Sequence, residues 1–154
     1  KEHNGHGLAD KTFTDRMTIG TGADRIDLYY FGPGHTNGDA WVVFPAHRIV
    51  HAGDIFAGKS LPLIDVANGG SQLRIPDTLL KAYTGIRDVD TIINGHMPRQ
   101  TSWAELKEFA DFNRDVVTAE WKVPERYKDY SSTVSPLFGG VAGRVKALQD
   151  EMRK

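Results

Sequence analysis

Three short pairs in this chain place a potential metal ligand directly after a glycine: Gly34-His35, Gly53-Asp54 and Gly95-His96. Each closes a stretch of strand-forming residues. Glycine lets a backbone turn where a side chain would clash, so ligands that follow it at several strand ends can gather on one sheet edge. Imidazole and carboxylate groups are donors that divalent ions such as Zn²⁺, Fe²⁺ and Mn²⁺ all accept, so the residues alone leave the metal open. The sequence contains no Cys, which excludes disulfides, thiolate ligands and a cysteine nucleophile. Any ion must therefore be held by His, Asp or Glu. Taken singly, a His after Gly can cap a carbonyl and an Asp after Gly can steady a turn. The threefold repetition is what points to metal chemistry.

The elements that must position these residues are legible as strands followed by helices. Thr12 to Ile19 and Arg25 to Phe31 carry β-branched and aromatic residues around Gly20-Thr21-Gly22-Ala23-Asp24, which predicts a hairpin. In its second arm Ile26, Leu28 and Tyr30 alternate with Arg25, Asp27 and Tyr29, a period of two that leaves one face buried and the other mixed. Trp41 to Phe44 and Ile49 to Ala52 flank a short turn at Pro45-Ala46-His47-Arg48, and the first of them, apolar on both faces, suits an interior strand. Ile75, Leu79, Leu80, Tyr83 and Ile86 form one helical stripe, with Pro76 tolerated in the first turn.

Asp90 to Asn94 reads as a further strand. Ser102-Trp103-Ala104-Glu105 matches a capping box opening a helix that bears Leu106, Phe109, Ala110, Val116 and Val117 and is limited by Pro124. A last amphipathic stretch carries Val141, Val145, Leu148 and Met152, weakened by Gly143. His47 in a turn and His51 inside a strand are read as surface or structural residues. Gly69-Gly70-Ser71 has two readings, a pocket-lining loop or a helix entry with Ser71 as a cap.

Composition narrows the function classes. Hydrophobic residues make up 40% and charged residues 25% of 154, close to globular averages, so one sizeable core is expected and disorder is not. Nineteen Lys and Arg against twenty Asp and Glu, with no basic stripe, disfavour nucleic-acid binding. The longest apolar run, Ala40 to Pro45, is far short of the ~20 residues of a membrane-spanning helix. Absence of cysteine says little about compartment.

Together, Gly32-Pro33-Gly34-His35-Thr36-Asn37-Gly38-Asp39, His51-Ala52-Gly53-Asp54 and Asn94-Gly95-His96 resemble, in order, spacing and strand context, successive motifs of the metallo-β-lactamase superfamily. The resemblance runs from about Thr12 to Trp121. It implies the C-terminal half of an αββα sandwich: an α/β (α+β) class, one domain over residues 1–154, and a mixed sheet with helices packed on its outer face. Residues 1–8 would be a mobile terminus, and a natural start upstream of Lys1 is expected.

The resemblance also implies two zinc ions at one sheet edge, with His35 the third histidine of the first, Asp54 bridging both and His96 ligating the second. Thr36 and Asp39 would orient His35 by hydrogen bonds, as metal-bound imidazoles require. Pro62, Asp65, Asn68 and Gly69-Gly70 would lie beside the substrate pocket. The implied activity is hydrolysis of an ester, thioester or amide by metal-bound hydroxide. Asp54 favours esterases of the glyoxalase II type over those β-lactamases that place Ser or Cys there.

One departure limits this expectation. The family's His-x-His-x-Asp-His motif is absent, and His3-Asn4-Gly5-His6 has the wrong spacing and no Asp. A four-coordinate zinc wants at least three protein ligands, yet His35, Asp54 and His96 divide between two ions. The chain alone is therefore expected to hold zinc partially or not at all. Two partners follow: the missing N-terminal half of the same fold, or a second copy joined through an uncovered sheet face as a non-catalytic module.

Overall fold

Alternating strand residues and tight turns build most of the sheet by local pairing. The computed structural model describes residues 9–58, 62–118 and 150–153. Arg16–Ile19 (β1) and Ile26–Tyr29 (β2) pair antiparallel around a single 3₁₀ turn at Gly22–Asp24. Trp41–Phe44 (β3) and Ile49–Gly53 (β4) form a second antiparallel pair around Pro45–His47, closed by Arg48 in the left-handed region at φ 56°. The helix Ile75–Gly85 (α1) then carries the chain to Thr91–Asn94 (β5), which runs parallel to β4. Thr101–Ser102 (β6) and the helix Trp103–Thr118 (α2) follow.

The result is a mixed six-stranded sheet in the order β1-β2-β3-β4-β5-β6, antiparallel except between β4 and β5. This matches the α/β expectation, and β3 is interior as its two apolar faces predicted. Val43, Val50 and Ile92 lie side by side on one face and are buried together with Ile75, Leu79, Ala82 and Ile86 of α1 and Leu106, Phe109 and Phe112 of α2. The Phe109 ring lies 4.5 Å from Phe56 and 6.3 Å from Phe112, centroid to centroid. Leu80, assigned to the helical stripe, points away from this core and is 42% exposed.

The hairpin corrects one expectation. Asp27, not its apolar neighbours, lies on the covered face of β2, at 3% exposure, in register with Val43. Ile26, Leu28 and Tyr30 are only half-buried. The reason is where the helices land: they cover the row containing Asp27 and Val43, which leaves the row Met17, Leu28, Val42, His51 and Ile93 half-buried on the other side. A buried carboxylate is tolerable only when its hydrogen bonds are made. Asp27 accepts from Thr18 Oγ1 at 2.5 Å and from Arg25 Nε and Nη2 at 3.2 and 2.8 Å, with Arg16 Nη2 at 3.4 Å. Burial would push its carboxyl up, but these bonds outweigh it and hold it below the usual carboxylate range.

The capping box forms as predicted. The Ser102 N–H donates to Glu105 Oε2 at 2.8 Å and the Glu105 N–H to Ser102 Oγ at 3.3 Å. Pro124 and the stretch with Val141, Val145 and Leu148 lie outside the described residues, as do residues 1–8. At the far end Met152 is exposed, while the Glu151 carboxylate accepts from Ser71 Oγ and from the N–H groups of Gln72 and Leu73 before α1. No helix among the described residues is long and apolar enough to cross a membrane.

The bond from the Ser102 N–H, and then Arg99, hold Glu105 below its ordinary value. A depressed carboxyl contributes stability that is present above the unfolded value, about 4.3, and lost as pH falls through the folded one. Glu105→Gln should therefore cost roughly 0.5–1 kcal/mol at pH 7 after solvent screening. In urea denaturation the gap from the parent chain should close as pH drops below 4.3.

Candidate metal centre

Asp54 and His96 come together because β4 and β5 end side by side. The Gly95 N–H donates to the Gly53 carbonyl at 2.8 Å, extending the parallel pairing past the bulge between His51 and Gly53. The buried Asn94 locks the same corner: its Nδ2 donates to the Phe56 carbonyl at 2.6 Å, and its Oδ1 accepts from Thr101 Oγ1 at 3.1 Å. Asp54 follows at the head of the 3₁₀ turn Asp54–Phe56, and His96 follows β5.

Glycine serves the site in two different ways. Gly53 has φ 53° and ψ −138°, a backbone state that L side chains rarely adopt, and so turns β4 towards Asp54. Gly95 supplies room instead, since a Cβ there would overlap Asp54 Oδ1 and the Gly53 backbone.

His35 arrives from the loop after β2 and is fixed from behind. Its Nδ1 lies 3.0 Å from the Leu63 carbonyl, which leaves Nε2 to face Asp54. Backbone bonds hold the loop: the Asp65 N–H donates to the His35 carbonyl at 2.8 Å, and the Ser71 N–H to the Gly34 carbonyl at 3.0 Å. Ser71 also caps the approach to α1, its Oγ accepting from the Arg74 N–H at 3.0 Å, so the helix-entry reading of Gly69-Gly70-Ser71 has direct geometry behind it.

Thr36 and Asp39 bond to each other, Thr36 donating through N and Oγ1 to Asp39 at 2.9 and 2.8 Å. They shape the turn after His35 and do not reach its ring. Asp65 and Asn68 form an Asx turn whose side-chain and backbone bonds, with the nearby His35, hold the Asp65 carboxyl below its usual range. His47 is exposed in its turn, and the His51 Nδ1 accepts from the Gly53 N–H at 3.2 Å. His3 and His6 lie outside the described residues.

At the centre, one carboxylate meets both imidazoles. Asp54 Oδ2 lies 3.6 Å from His35 Nε2, and Oδ1 lies 3.0 Å from His96 Nε2. The His35 side chain is 14% exposed and that of His96 73%, so one imidazole is anchored and the other reaches into solvent. A cleft of about 290 Å³ opens beside His35, Asp54, Asp39, Ala40, Ala52 and Gly53.

The donor types fit zinc. Their number does not complete a site: each half of Asp54 has a single imidazole, and no group of three or more His, Cys, Asp or Glu among the described residues converges on one point. The arrangement is one carboxylate between two imidazoles. Sequence reasoning missed the Leu63 carbonyl and the Asn94 clamp; the first is a backbone acceptor with no side-chain signature.

A mixed sheet with helices on one face is the arrangement of the metallo-β-lactamase fold, and solved structures bear the fold out. The chain is similar to a metallo-β-lactamase from Pontibacter korlensis, at 20% identity and TM-score 0.58, covering 73% of this chain and 52% of that one. It is similar to the metallo-β-lactamase DIM-1, at 19% and 0.55 over 67% and 47% of the two chains, and to TMB-1, at 18% and 0.58 over 71% and 49%. The chain spans about half the length of these structures. No family model and no curated protein sequence matches it.

The close approach at Gly95 gives a test. Gly95→Ala should force Asp54 and His96 apart and cost about 1–3 kcal/mol. In ¹H–¹⁵N spectra the His96 imidazole should shift while that of His47, away from this corner, stays in place. An unchanged His96 signal would mean that the corner has slack.

Proposed function

We propose that this chain supplies the C-terminal half of a zinc-dependent hydrolase of the metallo-β-lactamase type, acting on an ester, thioester or amide carbonyl. In this reading His35, Asp54 and His96 are zinc ligands. The observation that carries it is the shared carboxylate, which has one oxygen beside each imidazole, so that all three side chains are in place to hold metal. Zinc at such an edge polarises a carbonyl and acidifies water.

The chain's own residues do the positioning. Leu63 fixes the His35 ring so that Nε2 is the free donor, and Asn94 and the Gly95–Gly53 bond fix Asp54 relative to β5. Asp39 and Ala40 wall the cleft where substrate would enter. The ligands that this chain lacks come from a polypeptide bearing the His-x-His-x-Asp-His motif, in the same or a second chain. That polypeptide packs on the half-buried row of Met17, Leu28, Val42, His51 and Ile93. The same row also favours a second reading, a homodimer joined through that face without metal.

Native mass spectrometry with metal analysis separates these readings. The chain alone should carry less than one zinc; mixed with a segment bearing the missing motif, it should form a one-to-one complex holding about two ions. Asp54→Ala should at least halve that metal content. A complex that takes up no zinc, or two zincs on the unpartnered chain, would sink the proposal, and a metal-free homodimer would favour the second reading.

A further inference from the structure

A second cavity, about 350 Å³, lies at the end of the sheet where β4 and β5 begin, away from Asp54 and His96. Its charged lining is Arg16, Arg25 and Arg87 against Asp27 and Asp88, a surplus of one positive charge. Asp27 is buried beneath Arg16 and Arg25 and accepts from both and from Thr18, so the groups that face the cavity are guanidinium groups rather than its carboxylate.

The effect of Asp27 is to hold two guanidinium groups still. Arg25 grips it through Nε and Nη2, which spends two of about five N–H donors. Arg16 is held by Asp27 and by the Tyr29 ring, its guanidinium carbon 4.9 Å from the centroid. Both remain nearly half exposed, with side chains 49% and 43% accessible. Arginines immobilised in advance lose less freedom when they take up an anion, and their planar forks match carboxylate and phosphate oxygens.

Arg87 stands at the rim, exposed, beside Asp88, which is held in the left-handed region at φ 57°. Asp and Asn tolerate that conformation better than most residues, and it sets the turn that carries Arg87 to the rim. Val43 and Pro45 give the cavity an apolar side, and its volume suits a small organic molecule better than a bare ion.

We propose that this cavity binds a small organic anion, its carboxylate or phosphate head on Arg16, Arg25 and Arg87 and its apolar body against Val43 and Pro45. The site is separate from the metal edge and does not depend on the hydrolase reading.

The test titrates the full chain with inorganic phosphate and, separately, with benzoate, following arginine Nε–H signals by NMR. Saturable shifts of Arg16 and Arg25 are expected with at least one probe. Phosphate alone would identify a phosphate head; benzoate, alone or more tightly, would identify a carboxylate with an apolar body. Arg87→Gln, which leaves the Asp27 network intact, should weaken binding about tenfold. Asp88→Asn keeps a residue type that tolerates the left-handed backbone and should tighten binding several-fold. Arg114→Gln on α2 should change nothing. No saturable shift with either probe, or binding indifferent to Arg87→Gln, would overturn the proposal.

Discussion

The candidate centre depends on one backbone contact, the Gly95 N–H bonded to the Gly53 carbonyl where two parallel strands end. Parallel strands need a long connection, and here α1 provides it, so Asp54 and His96 are brought together across more than a third of the described chain. Once β4 and β5 are in register, the backbone positions of Asp54 and His96 are set. Asn94 adds a buried lock at the same corner, and its two bonds run to elements on either side of the ligands, the Asp54–Phe56 turn and β6. Asp54 and His96 are thus placed by strand pairing, while His35 reaches them from a loop held by backbone bonds.

Much of this was legible in the sequence because it is local. The two hairpins announce themselves by turn residues between β-branched runs, α1 by the spacing of Ile75, Leu79 and Ile86, and the start of α2 by Ser102 and Glu105. The repeated Gly-ligand pairs pointed to a shared edge, and Asp54 does lie between His35 and His96. What was not legible is what tertiary packing decides. Alternation in β2 separates its two faces but does not say which one the helices will cover, and a face bearing Asp27 looks like the wrong choice until Arg16 and Arg25 are seen to satisfy it. The partner of the His35 ring is a carbonyl that any residue at position 63 would supply. The Thr36–Asp39 pair looked like support for the imidazole and instead supports its own turn.

Fold and chemistry stand at different depths here. The likeness to solved metallo-β-lactamases rests on backbone arrangement at about 20% identity and over about half their length. The geometry of His35, Asp54 and His96 is a property of this chain alone, with one carboxylate between two imidazoles. Both follow from the same division of labour: one set of strand residues faces the helices and makes a core, while the other set remains half-covered.

Asp27 has a consequence for how the hairpin finds its partner. Strand side chains alternate with a period of two, so a slip of one residue carries a whole strand's inward set outward. If β2 slid by one position between β1 and β3, Leu28 would take the covered row and the carboxylate would move to the opposite side, away from Thr18 and Arg16. An all-apolar strand would tolerate such a slip with small loss. A charged residue that is satisfied in one alignment makes the alternatives unequal, so a single costly group acts as a keyed tooth that gives the sheet an unambiguous alignment at its edge.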